Sequence, residues 1–370
     1  MKFRKTSHIN SHINSRRTSQ MMREILNKYN VDENTTVHRG YYNMNYEINY
    51  RGKKAILRIP IGDAENVDIK ILNENEILRT LRKDLPSLPV PEVLYSSYTP
   101  SYSIHSYLEG QVLEKISPNY RIIDENVIES LASIMAMLHR YDNEDLRSKS
   151  SKILGSNCKV FYKTIYTNYM NLILKYIQYD KKLFQKLSFP KYPEILINQS
   201  HEIEKRDLVF SHVDLHRKNL IINDNHANIK RINGMTRDQI PNFSYAYHDI
   251  ISGILDWELA VYADPFFDIT VHIHKMKYVK GQEEIFLNNY MDLMEIWDVE
   301  ILKKMIKIYR KLEDTKSAYV DAVRLLNYRN HKLYPQYLSS YLAKLDRAFS
   351  NWGLELHLDE IQLDNIIQRH

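Results

Sequence analysis

Apolar and polar residues alternate in two short runs of the chain, Tyr46–Tyr50 and Lys54–Ile59. A period of two is typical of a strand with one buried face, and Arg51-Gly52-Lys53 between the runs favours a hairpin. In the next stretch, Ile69–Leu85, apolar residues recur at the three- and four-residue intervals of a helix. The pattern predicts an antiparallel sheet followed by a helix.

Two more strand-like runs, residues 88–98 and 102–110, lie on either side of a Thr-Pro-Ser turn. Pro89 and Pro91 lack the N–H that a central strand donates, so they favour an edge strand or the start of a strand. After Gly110 the pattern changes to long helical segments, because apolar residues recur at core spacing. We therefore expect a boundary near residue 110.

The predicted fold class is α+β, with a small antiparallel β-sheet lobe that carries one helix and a larger, mainly helical lobe. The predicted parts are an N-terminal extension and leading helix in residues 1–34, the first lobe in 35–109 and the second lobe in 110–370. Within the second lobe, Phe161–Gln185 is predicted to be a tyrosine-rich helix and Leu208–Trp257 to return to short strands.

The composition is that of an ordinary globular protein: of 370 residues, 44% are hydrophobic and 26% are charged. No apolar run approaches the roughly 20 residues of a membrane span, and the basic first 20 residues lack the apolar core of a secretory signal. A single cysteine, Cys158, excludes an internal disulfide. We expect a cytoplasmic protein without a membrane partner.

Charge is distributed unevenly along the chain. The net charge is +5, but the basic residues are scattered and no aromatic residues alternate with them, so nucleic-acid binding is not favoured. Residues 244–300 instead hold 11 acidic residues and three lysines, a balance of −8. This acidic block predicts affinity for a cationic ligand, although most of the acidic residues from Glu283 on are expected to lie on a solvated helix face.

A polar cluster, HVDLHRKN at His212–Asn219, separates two apolar runs. Strands on either side of a polar loop commonly hold catalytic residues in place. His212, Asp214 and His216 could ligate a metal, and a loop whose polar groups cap local backbone is the alternative. Two acidic stretches follow, LDWE at 255–258 and ADPFFD at 263–268.

The order of these three stretches resembles the aminoglycoside phosphotransferase and choline kinase family, which has a protein-kinase-like fold. The family pattern is H-G-D-x-H-x-x-N, then I-D-W-E, then a segment like G-D-P-x-x-D, and the chain matches it in order. The resemblance runs from about residue 35 to about residue 275. It implies a bilobal fold and transfer of a phosphoryl group from ATP or GTP, with Mg²⁺, to a small-molecule hydroxyl.

The resemblance also assigns roles to residues in the polar loop and after it. Asp214 would orient the acceptor hydroxyl and receive its proton. Asn219 and Asp256 would ligate Mg²⁺ through oxygen atoms. His212 and His216 would support the loop rather than bind metal.

In the first lobe the resemblance implies a nucleotide site. Arg58 takes the position of the lysine that contacts the α- and β-phosphates, which its forked guanidinium can also do, and Glu74 would be its acidic partner. The alternative is an exposed ion pair of little consequence. Asn43 ends the segment at the position of the phosphate loop, and Ser106 to Leu108 would be the hinge that meets the purine.

Glu258 is expected to face the acceptor, whereas Asp264 and Asp268 are expected to be structural. Two features depart from the family pattern. Val213 replaces a glycine, which restricts the backbone. Asn219 and Asp256 lie 37 positions apart, more than in the family's short hairpin, and the extra residues would form a flap near the site or an exposed connection.

The leading interpretation is a small-molecule kinase that phosphorylates an antibiotic of the aminoglycoside, basic peptide or macrolide type and confers antibiotic resistance. A metabolic kinase for choline or ethanolamine is an alternative. A catalytically silent kinase-like binding protein is a further alternative, which the intact Asp214, Asn219 and Asp256 disfavour. A metal-dependent hydrolase would need ligands beyond the loop histidines.

Overall fold

The computed structural model describes residues 20–31, 36–39, 43–60, 67–118, 121–165, 206–223, 250–296, 298–327 and 343–344. Contacts within the chain divide it into two compact units. Unit 1 comprises Met1–Met135, Asp214–Ala260 and Met276–Tyr290, and unit 2 comprises Ala136–Val213, Val261–Lys275 and Met291–His370. The predicted lobe boundary near residue 110 stays a prediction, since these units are interleaved along the chain.

The strands are β1 (Thr36–Arg39), β2 (Asn43–Tyr50), β3 (Lys53–Pro60), β4 (Val93–Tyr98), β5 (Ser101–Ser106), β6 (Gln111–Val112), β7 (Val209–Ser211), β8 (Leu220–Ile222), β9 (Ile251–Ile254) and β10 (Val261–Ala263). Helices that the structure describes include α1 (20–28), α2 (Val67–Asp84), α3 (Leu113–Ile116), α4 (Glu125–Arg140), α5 (Glu144–Leu154), α6 (158–165), α7 (Pro265–Met276), α8 (Gln282–Met294) and α9 (Val299–Asn327). Two 3₁₀ turns lie at Arg217–Asn219 and Trp257–Leu259.

Unit 1 contains a five-stranded antiparallel sheet in the order β1-β2-β3-β5-β4. The turn between β2 and β3 is the predicted one: Arg51 and Gly52 have φ angles of 54° and 79°, and a two-residue hairpin turn with both angles positive matches the twist of its strands. β4 is an edge strand, and Pro89 and Pro91 precede it, as expected for residues without an N–H.

The core of this sheet is formed by alternate side chains of its strands. Ala55, Leu57 and Ile59 of β3 are buried, and Ile25 and Leu26 of α1 pack into the same cluster. The predicted second helix is present as α2, which contacts β3, β4, β5 and the turn Trp257–Leu259. That last contact brings the helix of the predicted nucleotide site to the LDWE stretch.

A second sheet in unit 1, with the order β6-β8-β9, supports both sequence motifs. β8 follows the HVDLHRKN loop and β9 precedes LDWE. The segment that leads into β6 passes close to β8 at Gly110, whose φ is 125° and where a β carbon would overlap the carbonyl oxygen of Ile222. Glycine is required there because a side chain has no room.

In unit 2, β7 and β10 form an antiparallel pair. Apart from short connections, the rest of the described chain in this unit is helical, which agrees with the predicted change in pattern after the first sheet. Of the predicted helix Phe161–Gln185, residues up to 165 are helical and the remainder lies outside the described residues, as does most of the extra stretch between Asn219 and Asp256. Among the helices that the structure describes, none is long and apolar enough to cross a membrane.

Candidate active site

The HVDLHRKN stretch forms a short loop between β7 and β8 that ends in a 3₁₀ turn. His216 caps this turn, because its Nδ1 accepts the N–H of Lys218 at 3.2 Å. The N–H of Asn219 donates to the carbonyl oxygen of His216 at 2.8 Å. The loop is therefore held by its own backbone and by one of the two histidines predicted to support it.

Asp214 lies inside this loop with a mostly buried side chain. His216 Nε2 is 3.6 Å from Asp214 Oδ1. Asn219 Nδ2 donates to the carbonyl oxygen of Asp214 at 3.0 Å and is 3.5 Å from its Oδ2. The structure thus brings together the residue predicted to be the base and a residue predicted to ligate Mg²⁺.

Asp256 lies two residues after the end of β9 and has a left-handed backbone with φ 65°. The N–H of Leu255, the preceding residue, donates to the carbonyl oxygen of Asn219 at 2.8 Å. This bond sets the ends of β8 and β9 side by side. The two predicted Mg²⁺ ligands therefore come from neighbouring strand ends, although 37 positions separate them in the chain.

Arg58 of β3 and Glu74 of α2 form the predicted ion pair, with 2.7 Å between Nη2 and Oε2. The side chains are only 11% and 2% exposed, so the interpretation as an exposed surface pair is wrong. The other oxygen of Glu74, Oε1, accepts the N–H of Trp257 at 3.1 Å. Glu74 consequently joins the arginine of the predicted nucleotide site to the turn that carries Asp256.

The charge on Glu74 is influenced by this setting. Burial raises the pKa of Glu74 above the usual glutamate value, and the nearby Asp256 raises it further, whereas the Arg58 guanidinium and the Trp257 N–H oppose the rise. A cation near Asp256 would reduce the repulsion between the two carboxylates. The Arg58–Glu74 pair is thus linked to the residues that follow β9 both by the charge of Asp256 and by the hydrogen bond from Trp257.

The donor atoms at the strand ends fit Mg²⁺. Asn219 uses Nδ2 as a donor to Asp214, so Oδ1 is its ligating atom, and Asp256 supplies carboxylate oxygens; hard oxygen ligands are those that Mg²⁺ prefers. Within the described residues, no group of three or more His, Cys, Asp or Glu side chains could hold a metal. The loop histidines therefore form no such ligand set there, which gives the hydrolase interpretation no support.

In unit 2, Asp268 holds the start of the loop. Its Oδ1 accepts the N–H of Val213 at 2.9 Å, and His139 Nε2 lies 3.1 Å from its Oδ2. Burial alone would raise the pKa of Asp268, but the hydrogen bonds from His139 and Val213 and the nearby His212 outweigh it and lower this pKa. Val213 has φ 61°, the left-handed region that favours the glycine it replaces.

The acidic residues after Asp256 differ in surroundings. Asp264 caps α7, since its Oδ1 accepts the N–H of Phe266 at 2.9 Å, and its Oδ2 accepts from Arg206 at 3.2 Å. Asp264 and Asp268 are both buried and bonded within unit 2. Glu258 instead lies partly exposed on the 3₁₀ turn after Asp256.

The structure constrains the predicted purine hinge. The N–H of Ser106 donates to the carbonyl oxygen of Glu92, and its hydroxyl accepts the N–H of Glu92, both at 2.8 Å. The N–H of Ser106 is therefore not available to a purine, whereas its hydroxyl still has a hydrogen to donate. At Leu108 the side chain packs over Gly253, where a β carbon would lie 2.7 Å from Leu108 Cδ1. The hinge from Ser106 to Leu108 stays a prediction.

For the predicted phosphate loop, the structure describes the strands on either side. β1 ends at Arg39, and Asn43 is the buried first residue of β2, paired with Pro60. The three residues between them lie outside the described residues. One further residue of the HVDLHRKN loop, Arg217, was not predicted to matter, yet it is buried and bonded to four backbone carbonyl groups.

Comparison with protein-family models matches residues 33–229, more than half of the chain, to the phosphotransferase enzyme family, APH. The chain belongs to this family. The prediction of a phosphotransferase with an alcohol group as acceptor is thereby confirmed. A search of the curated proteins found no sequence match.

Solved structures show that this phosphotransferase has the predicted kinase-like α+β fold. The ADP-bound aminoglycoside phosphotransferase APH(2″)-Ib superposes with a TM-score of 0.60 at 13% identity, over 90% of this chain and 99% of that one. A gentamicin complex of APH(2″)-IIa gives 0.56 at 14% identity, over 87% and 95%. An ethanolamine kinase from Plasmodium vivax gives 0.56 at 13% identity, over 84% and 80%.

Proposed function

We propose that this phosphotransferase is a Mg²⁺-dependent small-molecule kinase that transfers the γ-phosphoryl group of ATP or GTP to a hydroxyl of a cationic acceptor. One observation carries the proposal. In unit 1, hydrogen bonds link the Asn219 side chain to the Asp214 backbone and the Asn219 carbonyl oxygen to Leu255, the residue before Asp256. The buried Arg58–Glu74 pair is bonded to the turn that follows Asp256. Phosphoryl transfer needs these groups in place and little covalent chemistry from the protein.

The donor side of the site is formed by Arg58, Asn219 and Asp256. The Arg58 guanidinium, held by Glu74, is suited to bind phosphate oxygens of the nucleotide. Asn219 and Asp256 would hold Mg²⁺, which when bound neutralises charge on the phosphates. A buried guanidinium fixed by an ion pair loses little freedom when it binds phosphate, and this favours binding.

The acceptor side depends on Asp214. The acceptor oxygen forms a bond to the γ-phosphorus as the bond from that phosphorus to the leaving diphosphate breaks, and the hydroxyl proton passes to the Asp214 carboxylate. The products are the phosphorylated acceptor and ADP or GDP. The Asn219 side chain, which donates to the Asp214 backbone, keeps the loop in the shape that this transfer requires.

The acceptor we favour is an antibiotic of the aminoglycoside, basic peptide or macrolide type, which would make the protein an antibiotic-resistance enzyme of the cytoplasm. Support comes from the acidic Glu258 beside Asp256 and from neighbours in complex with kanamycin, gentamicin and streptomycin. The ethanolamine kinase neighbour supports a second candidate, a metabolic kinase for choline or ethanolamine. Both classes of acceptor carry a cationic nitrogen.

Consumption of nucleotide by the purified full chain tests this proposal. ATP and GTP are each offered with Mg²⁺ and one acceptor from a panel of aminoglycosides, a macrolide, a basic peptide antibiotic, choline and ethanolamine, with Asp214→Asn as the control. Acceptor-dependent release of ADP or GDP by the wild type alone is expected. Binding of nucleotide without consumption for every acceptor would instead identify a silent binding protein.

A further inference from the structure

Arg217 belongs to the catalytic loop, yet its side chain is only 1% exposed. Its Nε donates to the carbonyl oxygen of Met276 at 2.8 Å, and Nη2 donates to that of Arg121 at 3.1 Å. Nη1 donates to Pro118 at 3.0 Å and to both the carbonyl oxygen and the hydroxyl of Ser117. All three nitrogen atoms therefore tie the loop to two other stretches of unit 1.

Two of the residues that accept from Arg217 lie where helices end. Ser117 is the residue that follows α3, and Met276 is the last residue of α7. Terminal carbonyl groups of a helix lack a partner within the helix and attract a cation. The five bonds end on uncharged oxygens, and the Glu114 carboxylate adds a favourable charge interaction with the guanidinium. Burial of a charge is costly unless its donors are satisfied, and here each nitrogen is.

Arg217 is also the first residue of the 3₁₀ turn that ends at Asn219. The far end of this turn is fixed by the bonds of Asn219 to the carbonyl oxygens of His216 and Asp214 and by the bond from Leu255. The near end is fixed by the Arg217 side chain. A shift of the backbone at Arg217 would therefore be transmitted over two residues to Asn219.

We infer that Arg217 is a positioning residue for the Mg²⁺-nucleotide site. Its buried guanidinium holds the 3₁₀ turn in place, so that Asn219 stays beside the strand end that carries Asp256. The inference rests on the proposed function for the role of Asn219 as a metal ligand. Groups that orient metal ligands without touching the metal commonly contribute 10- to 100-fold to metal affinity, so the loss of Arg217 should weaken Mg²⁺ binding in that range.

The test uses the full chain with Arg217→Met and Arg217→Lys. The readout is the Mg²⁺ concentration that gives half of the nucleotide-dependent rise in Tm, with ATP and GTP tried separately. Arg217→Met should raise this concentration about 10-fold or more. Arg217→Lys should raise it less, since an ammonium can reach some of the carbonyl groups but lacks the fork that spans them.

A second arginine provides the matched control. Arg206 donates to Asp264 in unit 2, and Arg206→Met also removes a guanidinium bonded to a buried oxygen. This variant should lower Tm while its Mg²⁺ midpoint stays within about 2-fold of the wild type. A general loss of stability would move Tm in both variants, but only a positioning role moves the Mg²⁺ midpoint in the Arg217 variant alone.

The outcomes separate this inference from the proposed function. Unchanged Mg²⁺ midpoints in both Arg217 variants, with a wild type that responds to Mg²⁺, would overturn the positioning role alone. If Arg217→Met does not fold, Arg217→Lys decides, and a midpoint within 2-fold of the wild type counts against the inference. A wild type whose Tm shows no response to Mg²⁺ with either nucleotide would overturn the proposed function and this inference with it.

Discussion

At the scale of single residues, the loop that holds Asp214 depends on an unfavourable backbone. Val213 has φ 61°, and a β-branched residue in the left-handed region carries a cost of about 1–2 kcal/mol. The Asp268 carboxylate, which accepts the Val213 N–H, holds this conformation. The sequence shows a valine in place of the family's glycine, but the angle follows from the fold and could not be read from the residue type.

Replacement of Val213 tests this strain. Val213→Ala and Val213→Gly both remove the buried apolar side chain, but only glycine relieves the left-handed backbone. We expect the glycine variant to be more stable than the alanine variant by about 1 kcal/mol, measured by urea unfolding. At Val209 in β7, a strand position, the order should reverse. The same order at both positions would show that Val213 is not strained.

Substitution of Asp214 and substitution of Asp256 should have different effects, the first on the rate of transfer and the second on Mg²⁺-nucleotide binding. Asp214→Asn removes the proposed proton acceptor and should lower the rate of phosphoryl transfer by about 10²- to 10⁴-fold, with nucleotide and Mg²⁺ binding nearly unchanged. Asp256→Ala removes a proposed carboxylate ligand of Mg²⁺ and should weaken the rise in Tm that Mg²⁺-nucleotide produces. Transfer by Asp214→Asn within a few-fold of the wild type, or a normal Mg²⁺ response of Asp256→Ala, would contradict the corresponding role.

At the scale of elements, the site depends on contacts between pieces that the sequence predicts separately. Alternation and helical spacing predicted β2, β3 and α2, and the motif order predicted which side chains matter. The bond from the Trp257 N–H to Glu74 and the bond from Leu255 to Asn219 could not be predicted. They depend on how α2, β8 and β9 are arranged in space, and hydrophobic periodicity carries no such information.

A buried histidine joins α2 to the first sheet. His105 of β5 lies 2.8 Å from Asn75 Oδ1 on α2 and 3.1 Å from the Ser103 hydroxyl, measured from Nε2. Burial lowers the pKa of His105 well below the usual histidine value, and the charges of Arg58 and Arg79 lower it further. The folded protein therefore excludes a proton that the unfolded chain binds below about pH 6.5.

Because of this histidine, the free energy of unfolding should decrease as the pH is lowered. A lowered pKa in the folded state gives stability that is present above the unfolded pKa and is lost as the pH falls below it. Below about pH 6.5 the loss for one proton is roughly 1.4 kcal/mol per pH unit. His105→Gln, which cannot titrate, should flatten the dependence of the unfolding free energy on pH between 7 and 5.

The control for this measurement is His274→Gln, at an exposed position of α7. It should leave the slope unchanged. Urea unfolding at several pH values for the wild type and both variants gives the comparison. If the unfolding free energies of the wild type and of His105→Gln decrease in parallel as the pH is lowered, His105 does not exclude a proton on folding.

At the scale of the whole molecule, a sum of charges along the sequence overstates the field at the site. The acidic block of residues 244–300 has a balance of −8, but the structure buries Asp264 and Asp268 and bonds them to Arg206 and His139. A count of residue types cannot separate such carboxylates from exposed ones. The partly exposed Glu258 lies in the turn that follows Asp256 and is the acid that we expect to meet the proposed acceptor.

The last prediction follows from this reduced charge. An exposed or partly exposed charge pair contributes up to about 1 kcal/mol, so Glu258→Gln should raise KM for a cationic acceptor by a factor of about 2 to 5, with a smaller change in KM for nucleotide. For the wild type, kcat/KM for that acceptor should fall as salt rises, since screening weakens the attraction. Glu300→Gln changes the net charge equally at an exposed residue of α9 and should leave both KM values unchanged. Equal effects of the two variants would mean that net charge, rather than Glu258, determines KM for the acceptor. A preferred acceptor without positive charge would refute the electrostatic argument, while the kinase assignment would stand.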